Sequence, residues 1–285
     1  ILGVKGRKLS LGRNQYILDL SREDVQNYII SVLDERFAEA PRSYVKWDMN
    51  RNMTEIGSTA WPAKKQKEIA HRYMLGLYKI LENITSNFPN ILFESCSGGG
   101  GRFDGGMLYY MPQTWTSDDT DAIERLMIQE GTSLVYPTSS MGSHVSAVPN
   151  HQVHRITPLN TRGVVAMAGS FGYELDVTKM NEEEKEEVKK QVEFYKNIRS
   201  TVQFGDLYRL KSSFDSNEAA WMNLSKDGKE VVVSYVKKYA EANVIPRRLK
   251  VKALDENSLY EVIETGEVFG GDELMYIGLE IGELM

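Results

Sequence analysis

Short apolar runs alternate with helical segments along the first two hundred residues, and this alternation constrains the fold more than any other feature of the chain. The helical segments carry recognisable start signals, such as Ser21 before a segment with Glu23 and Asp24 in its first turn. Because strands that alternate with helices form parallel βα units, the sequence predicts an α/β fold built on a parallel sheet. The predicted strands are 17–20, 45–49, 91–94, 113–117, 133–136 and 171–176, and the predicted helices are 22–37, 62–84, 121–129 and 181–202.

The number of these units favours a barrel over an open sheet. No Gly-x-Gly-x-x-Gly turn follows a predicted strand, which argues against a dinucleotide-binding fold. A complete eight-stranded barrel takes ~250 residues, whereas residues 1–203 supply about six units. We therefore predict a catalytic (β/α)8 TIM-type barrel in residues 1–203 that lacks its first strands, with the gap at the N-terminus.

The pattern changes after Gln203. Strand-like runs now follow one another without helices between them, and pairs such as Asp227-Gly228 and Thr265-Gly266 mark tight turns. We therefore predict an antiparallel β-sandwich domain in residues 204–285, one that stops early. Its predicted strands are 205–212, 219–224, 230–239, 249–253, 259–262 and 274–279.

Charge and composition exclude two classes of partner. The net charge is −6 and no basic face is visible, so we expect no nucleic acid partner and a neutral or weakly charged small-molecule substrate. No run reaches the ~18–20 apolar residues of a membrane span, and no signal peptide is recognisable. The single cysteine, Cys96, forms no intramolecular disulfide and is compatible with the cytoplasm. Because the chain starts with Ile1 rather than Met, we expect a fragment or a processed product.

Two acids follow directly on short strand-like runs that contain a tryptophan: Asp48 after Trp47, and Asp118 shortly after Trp115. The carboxyl end of a buried strand is where β/α-barrel enzymes place catalytic groups. Lys46 lies two residues before Asp48 on the same strand face, and an ammonium there would keep Asp48 ionised, as a nucleophile requires. A structural ion pair at a strand end is the alternative interpretation.

The residues alone leave the second acid open. Asp118 is followed by Asp119 and Asp121, and Asp119 or Thr120 can cap the helix expected from Asp121. A carboxyl group that faces another one in a low-dielectric cavity has a raised pKa and can act as a general acid. Either Asp118 or Asp119 fits that role, and a purely capping role for the acidic run is the alternative.

A run of four glycines, Gly98–Gly101, follows the strand that ends near Glu94. Glycines let the backbone approach a ligand closely and offer N–H donors to hydroxyl groups. Because no nearby histidine activates Cys96, we interpret it as a buried residue that lines a pocket. The four histidines have no supporting cysteine or carboxylate cluster, so we predict no metal or other cofactor. The stretch 139–155 is long for a βα connection, which is typical of a lid or an interface loop.

Four motifs together resemble the glycoside hydrolase family 36 α-galactosidases of bacterial type. The likeness continues through 171–176 and covers most of residues 10–205. The four motifs are Lys46-Trp47-Asp48-Met49-Asn50-Arg51, Cys96-Ser97-Gly98-Gly99-Gly100, Trp115-Thr116-Ser117-Asp118 and Met141-Gly142-Ser143-His144-Val145-Ser146.

The resemblance implies a function and a role for particular residues. The family hydrolyses terminal α-D-galactosyl residues of galactosides such as melibiose and raffinose with retention of configuration, needs no metal and is often tetrameric. By position, Asp48 corresponds to the nucleophile and Asp118, rather than Asp119, to the acid/base. The residues that correspond to substrate-binding positions are Arg13, Lys46, Trp47, Asn50, Cys96, Gly98, Gly99 and Trp115.

Departures from the family pattern leave two alternatives open. The N-terminal β-supersandwich and the first two barrel strands of the family are absent, and with them an Asp-Asp pair and a tryptophan that bind the sugar. One alternative is therefore a non-catalytic fragment, or one that is inactive without an N-terminal portion. The other is a transglycosidase of the raffinose-synthase kind. In the full-length enzyme we expect a cytoplasmic homotetramer.

Overall fold

In the computed structural model, which describes residues 1–242 and 247–281, the chain divides into two compact units, Ile1–Asp118 and Asp119–Met285. The first unit contains three helices and three strands besides a 3-10 helix at Ala63–Glu68. Strand β1 pairs in parallel with β2, and β2 pairs in parallel with β3. In chain order these elements are α1 Glu23–Ala38, β1 Tyr44–Asp48, α2 Ile69–Asn87, β2 Leu92–Cys96, α3 Gly105–Tyr110 and β3 Gln113–Trp115.

The core of this first unit lies on one face of its sheet. Helix α2 repeats apolar side chains at helical spacing, so that Ile69, Leu77, Ile80 and Ile84 are all buried on one stripe. Phe93 from β2 belongs to the same buried cluster, and Val45 and Trp47 from β1 pack against it. Because side chains alternate along a strand, the intervening residues of β1 and β2 point to the other face of the sheet.

The second unit begins with βα units and continues with antiparallel strands. Strands β4 and β5 pair in parallel, β6, β7 and β8 form an antiparallel sheet, and β9 with β12 and β10 with β11 form antiparallel pairs. The elements are α4 Ala122–Ser133, β4 Met141–Ser146, α5 Leu159–Ala166, β5 Ser170–Glu174, α6 Glu182–Phe204, β6 Asp206–Lys211, β7 Glu218–Leu224, β8 Val231–Lys237, β9 Arg247–Leu249, β10 Leu259–Val262, β11 Glu267–Gly270, α7 Gly271–Tyr276 and β12 Leu279–Ile281.

The predicted fold class is confirmed: parallel βα units of the TIM-barrel type precede antiparallel sheets. The domain boundary between residues 203 and 204 stays a prediction. No helix within 1–242 and 247–281 is long and apolar enough to cross a membrane.

Two strands of the parallel part were predicted wrongly. Residues 17–20 form no strand, and residues 133–136 end helix α4 and the turn after it. Leu134 and Val135 are apolar but exposed, at 65% and 76% of their surface, so their hydrophobicity gives a misleading strand signal. The strand lies at Met141–Ser146 instead, inside the stretch predicted as a lid or interface loop. The described residues therefore hold five parallel strands rather than about six.

Two helix caps also differ from prediction. The Ser21 hydroxyl donates to Asp19, and Arg22 occupies the N-cap position of α1. Asp121, rather than Asp119 or Thr120, caps α4, because its Oδ1 accepts from the N–H groups of the second and third helical residues at 3.0 and 3.1 Å.

Other element boundaries differ as well. The predicted helix 62–84 begins as the 3-10 helix and continues to Asn87. In the C-terminal part the predicted strand 274–279 is wrong, since α7 occupies its first half and β12 begins only at Leu279. Strand β9 ends where the predicted strand 249–253 begins. Strand β11 was missed by the sequence analysis.

Candidate active site

Asp48 is the last residue of β1, and Cys96 is the last residue of the neighbouring strand β2. The two residues are paired in the register of the parallel sheet, so their side chains leave the same edge side by side. Both lie on the face of the sheet opposite the apolar core, to which Val45 and Trp47 contribute. This places Asp48 as predicted, at the carboxyl edge of parallel strands where barrel enzymes carry out their chemistry.

A chain of two hydrogen bonds fixes the orientation of the Asp48 carboxylate. The Gly98 N–H donates to Asn50 Oδ1 at 2.9 Å, and Asn50 Nδ2 in turn donates to Asp48 Oδ2. Because the backbone N–H can only donate, it determines which end of the Asn50 amide is directed at the carboxylate. Asn50 thus links the glycine loop, residues Gly98–Gly101, to Asp48.

Cys96 lies in this group as a protonated thiol. Its side chain is 3% exposed. Burial raises the pKa of the Cys96 thiol to about 11, and the neighbouring Asp48 carboxylate adds to the increase. A thiol with so high a pKa is a poor nucleophile at neutral pH, which fits a residue that lines the site.

Arg102 ties the ends of β1 and β2 together. Its Nη2 donates to the carbonyl oxygens of Trp47 at 3.0 Å and Cys96 at 2.9 Å. Burial lowers the pKa of the Arg102 guanidinium from its ordinary value, although that value is too high for the charge to be lost near neutrality. No role for Arg102 was predicted from the sequence, although it directly follows the glycine loop.

The glycine loop also packs against the segment that carries Asp118. The Gly100 N–H donates to the Thr116 carbonyl oxygen at 3.0 Å. Gly99 has a φ of +80°, and a Cβ placed there would lie 2.6 Å from Ser117 Cα and 3.0 Å from the Asp118 nitrogen. A side chain at this position would collide with the backbone, so only glycine allows the close approach. One loop therefore contacts both acid-bearing segments.

Lys46 and Trp115 contact each other on the face of the sheet that carries Asp48. The Lys46 ammonium lies 4.8 Å from the centroid of the Trp115 ring and 3.4 Å from Glu94 Oε1. The predicted partner of Lys46 was Asp48, whereas the ion pair in the structure is with Glu94, which is buried at 1% exposure. Only the strand register identifies Glu94 as the partner of Lys46, and the sequence does not reveal that register.

Two predicted substrate-binding residues differ from the others in their surroundings. Trp47 is half-buried against the core, on the other face of β1. Arg13 is exposed in the turn between Gly12 and Gln15, with a φ of +50°. Arg51 holds this turn next to the end of β1, because its guanidinium donates to the Gln15 and Ser10 carbonyl oxygens at 3.3 and 2.7 Å.

The described part of the chain contains no cluster of three or more His, Cys, Asp or Glu side chains placed to hold a metal ion. His71 lies on α2, and His144 lies on β4 with its Nδ1 4.0 Å from Glu174.

Comparisons with known proteins give the family. The Melibiase model matches residues 1–205, and the model of the glycosyl hydrolase family 36 C-terminal domain matches residues 218–284. The α-galactosidase AgaA of Geobacillus stearothermophilus is 62% identical over 280 residues, which is 98% of this chain and 38% of AgaA. The α-galactosidase Mel36A of Lactobacillus acidophilus is 52% identical over 278 residues, again 98% of this chain and 38% of the relative.

Solved structures agree with this match. The crystal structure of AgaA superposes with a TM-score of 0.97 and covers 100% of this chain and 39% of AgaA. Variants of AgaA in complex with raffinose and with stachyose superpose with TM-scores of 0.97 and 0.96. The chain thus spans less than two fifths of the length of these relatives. With both family models matching in the expected order, the chain belongs to glycoside hydrolase family 36.

Proposed function

We propose that this chain carries the nucleophile and the acid/base of a retaining α-galactosidase that acts on terminal α-D-galactosyl residues, as in melibiose and raffinose. The observation that carries the proposal is the glycine loop, which contacts the segments of both acids. Gly98 donates to the side chain that orients Asp48, and Gly99 packs on the backbone of Ser117 and Asp118. Paired carboxyl groups held in this way are what glycoside hydrolysis requires.

The reaction is a double displacement. The Asp48 carboxylate attacks the anomeric carbon while Asp118 gives its proton to the departing glycosidic oxygen, so that the C–O bond to the aglycone breaks and a galactosyl ester forms. Asp118 then removes a proton from water, and the resulting hydroxide displaces Asp48 and releases galactose with its original configuration. Asn50 keeps one oxygen of the Asp48 carboxylate in place throughout.

The remaining residues are proposed to bind the sugar, on the strength of the family resemblance and of where they lie. Lys46, Cys96 and Trp115 lie on the face of the sheet that carries Asp48. The N–H groups of Gly98, Gly100 and Gly101 already donate within the protein, so the glycine loop is proposed to contribute through the close approach of its backbone. Trp115 is only 3% exposed and the Lys46 ammonium covers its ring, so Lys46 is proposed to contact the hydroxyl groups of the sugar while Trp115 supports the ammonium from behind. Arg13 and Trp47 remain predictions from the resemblance alone.

Azide rescue with an activated aryl α-galactoside distinguishes the two roles. Replacing Asp48 by Gly should reduce turnover by on the order of 10⁴ or more, and azide should then restore it with a β-galactosyl azide as product. Asp118→Gly should leave the first step intact, so that azide attacks the galactosyl ester and gives the α-azide. Asp119→Gly is the matched control and should hydrolyse normally. An α-azide from the Asp48 variant and a β-azide from the Asp118 variant would contradict the assignment. An inactive Asp119 variant would contradict it as well.

Because the chain spans 38% of its relatives, the activity is proposed for the protein that carries it. Retention is tested by following the anomeric proton of the first-formed galactose by NMR. Product analysis at high sucrose concentration separates hydrolysis from a transglycosidase reaction. A homotetramer and a cytoplasmic location are also predicted from the resemblance, and light scattering and cell fractionation test them.

A further inference from the structure

Three polar side chains form one row across the parallel strands β1, β2 and β3. Lys46 is paired with Glu94, and Glu94 is paired with Gln113, in the register of the sheet. Residues paired in this way point to the same face, so the three side chains lie beside one another on the face that carries Asp48. The family comparison and the proposed reaction give Glu94 no part in the site.

Each oxygen of the Glu94 carboxylate contacts a different neighbour. Oε1 lies 3.4 Å from the Lys46 ammonium, and Oε2 accepts a hydrogen bond from Gln113 Nε2 at 3.2 Å. Rotation of the carboxylate would break one of these contacts, so both neighbours favour the observed orientation. Oε1 thereby offers the Lys46 ammonium a fixed anionic partner.

The contrast in burial shows which partner holds the other. The Glu94 side chain is 1% exposed, whereas the Lys46 side chain is 38% exposed. Lys46 has a long, flexible side chain on an open face, and without a fixed anion it would sample many rotamers in water. Its ammonium is instead held 4.8 Å from the Trp115 ring centroid. Burying the Glu94 carboxylate costs desolvation energy, so stability alone does not account for the pair.

We propose that Glu94 is a positioning residue, which holds the Lys46 ammonium over Trp115 so that it meets the hydroxyl groups of the bound galactosyl ring. The inference rests on the proposed function, in which Lys46 binds the sugar. Glu94 itself never touches the substrate and acts only through Lys46.

A double-mutant cycle on galactose binding tests this coupling by isothermal titration calorimetry on the protein that carries the chain. Glu94→Gln keeps the shape and an acceptor for Gln113 but removes the negative charge, and its dissociation constant should rise about tenfold. In a Lys46→Met background the same change should alter the constant less than about twofold. A tenfold effect that persists without Lys46 would overturn the proposal.

Two further variants separate positioning from folding. Ser95→Ala is the matched control, because Ser95 is also 1% exposed on β2 but on the opposite strand face, and it should bind galactose normally. Glu94→Asp keeps the charge but withdraws it by one methylene, so a loss of about threefold is expected, which also vanishes without Lys46. If Glu94→Gln fails to fold, the double-mutant cycle with Lys46→Met is measured with Glu94→Asp instead.

The crystal structure of the Glu94→Gln protein gives a result that does not depend on galactose. The Lys46 ammonium should move from the Trp115 face by more than about 1 Å, a shift large enough to matter in an enzyme site. An ammonium that stays in place would overturn the proposal. If the unaltered protein binds no galactose, the proposed function fails, while this structure still decides whether Glu94 positions Lys46.

Discussion

Backbone groups hold two of the side chains that shape this site, Asn50 and Arg102, and Asn50 in turn orients the Asp48 carboxylate. The Asn50 amide accepts from the Gly98 N–H, and Arg102 donates to two strand-end carbonyl oxygens. A main-chain partner costs little additional entropy, because the backbone is already ordered by the sheet. The carboxylate of Asp48 therefore has a fixed environment before any substrate arrives, as preorganised catalysis requires.

Asn50→Ala should lower kcat of the proposed hydrolysis by about tenfold to a hundredfold, because the Asp48 carboxylate loses the donor that orients it. Thermal unfolding should change little, since Asn50 belongs to no apolar cluster. Asn52→Ala is the matched control, because Asn52 is exposed two residues further on. Steady-state kinetics of the two variants decide the point, and equal kcat values would exclude an orienting role for Asn50.

Cys96 should resist alkylation in the folded protein. Its pKa is raised from 9.0 to about 11, so at pH 8 the thiolate population is about a hundredfold smaller than in the unfolded chain. Iodoacetamide labelling of the peptide that contains Cys96, followed by mass spectrometry, should therefore be at least about a hundredfold slower without urea than with it. The native rate should keep rising between pH 9 and 11, where the unfolded rate levels off. Comparable native and unfolded rates at pH 8 would show an accessible thiolate.

At the scale of elements, the arrangement of β1, β2 and the glycine loop brings the site together. Each strand delivers one residue to the same edge, and the loop after β2 spans from Asn50 to the segment after β3. The loop reaches this segment because the Gly99 backbone passes within van der Waals contact of the Ser117 backbone. Glycine is the only residue that does so with positive φ and without strain.

Gly99→Ala should displace the Asp118 segment and reduce kcat by at least about tenfold. The added methyl group would lie 2.6 Å from Ser117 Cα, and the φ of +80° adds backbone strain of about 1 kcal/mol. Gly105→Ala is the control, because its Cβ would meet nothing within 4 Å. The comparison is made by kinetics and thermal unfolding, and a Gly99 variant as active as the Gly105 variant would contradict this packing.

The sequence predicted elements well where local chemistry and burial agree. Helix α6 begins at a capping box formed by Asn181 and Glu184, which local sequence encodes. Strand β4 was missed because its buried face carries small and polar residues such as Ser143, whose hydroxyl is satisfied by Gln129 from α4. The pairing of Lys46 with Glu94 was also not predicted, because strand register follows from tertiary structure.

At the scale of the molecule, all the residues proposed for catalysis and sugar binding fall within Ile1–Asp118. The second unit has apolar clusters of its own, one of them around Met222, Leu224 and Leu274. It also contains a buried carboxylate, Glu218, at the start of β7. The stability of this unit should therefore depend on pH in a way that the proposed catalytic groups do not determine.

Three partners surround Glu218: Lys211, Arg247 and the Tyr235 hydroxyl, which donates at 2.8 Å. Burial raises the pKa of Glu218, but the hydrogen bonds from these partners outweigh it and lower the pKa from 4.5 to about 2. The ionised form is thus favoured by folding, which contributes up to about 3 kcal/mol above pH 4.5. This contribution is lost as the pH falls from 4.5 towards 2, where the carboxylate takes up its proton.

Glu218→Gln should accordingly lower the free energy of unfolding of the second unit by about 3 kcal/mol at pH 7. The difference from the unaltered protein should shrink steadily below pH 4.5, because protonation removes the same charge from the native residue. Urea unfolding followed by circular dichroism at several pH values measures both quantities. Glu230→Gln, at an exposed position before β8, is the matched control and should change stability by less than about 0.5 kcal/mol at every pH. If the loss of unfolding free energy in Glu218→Gln stays constant down to pH 3, packing of this side chain, rather than its buried charge, stabilises this part of the chain.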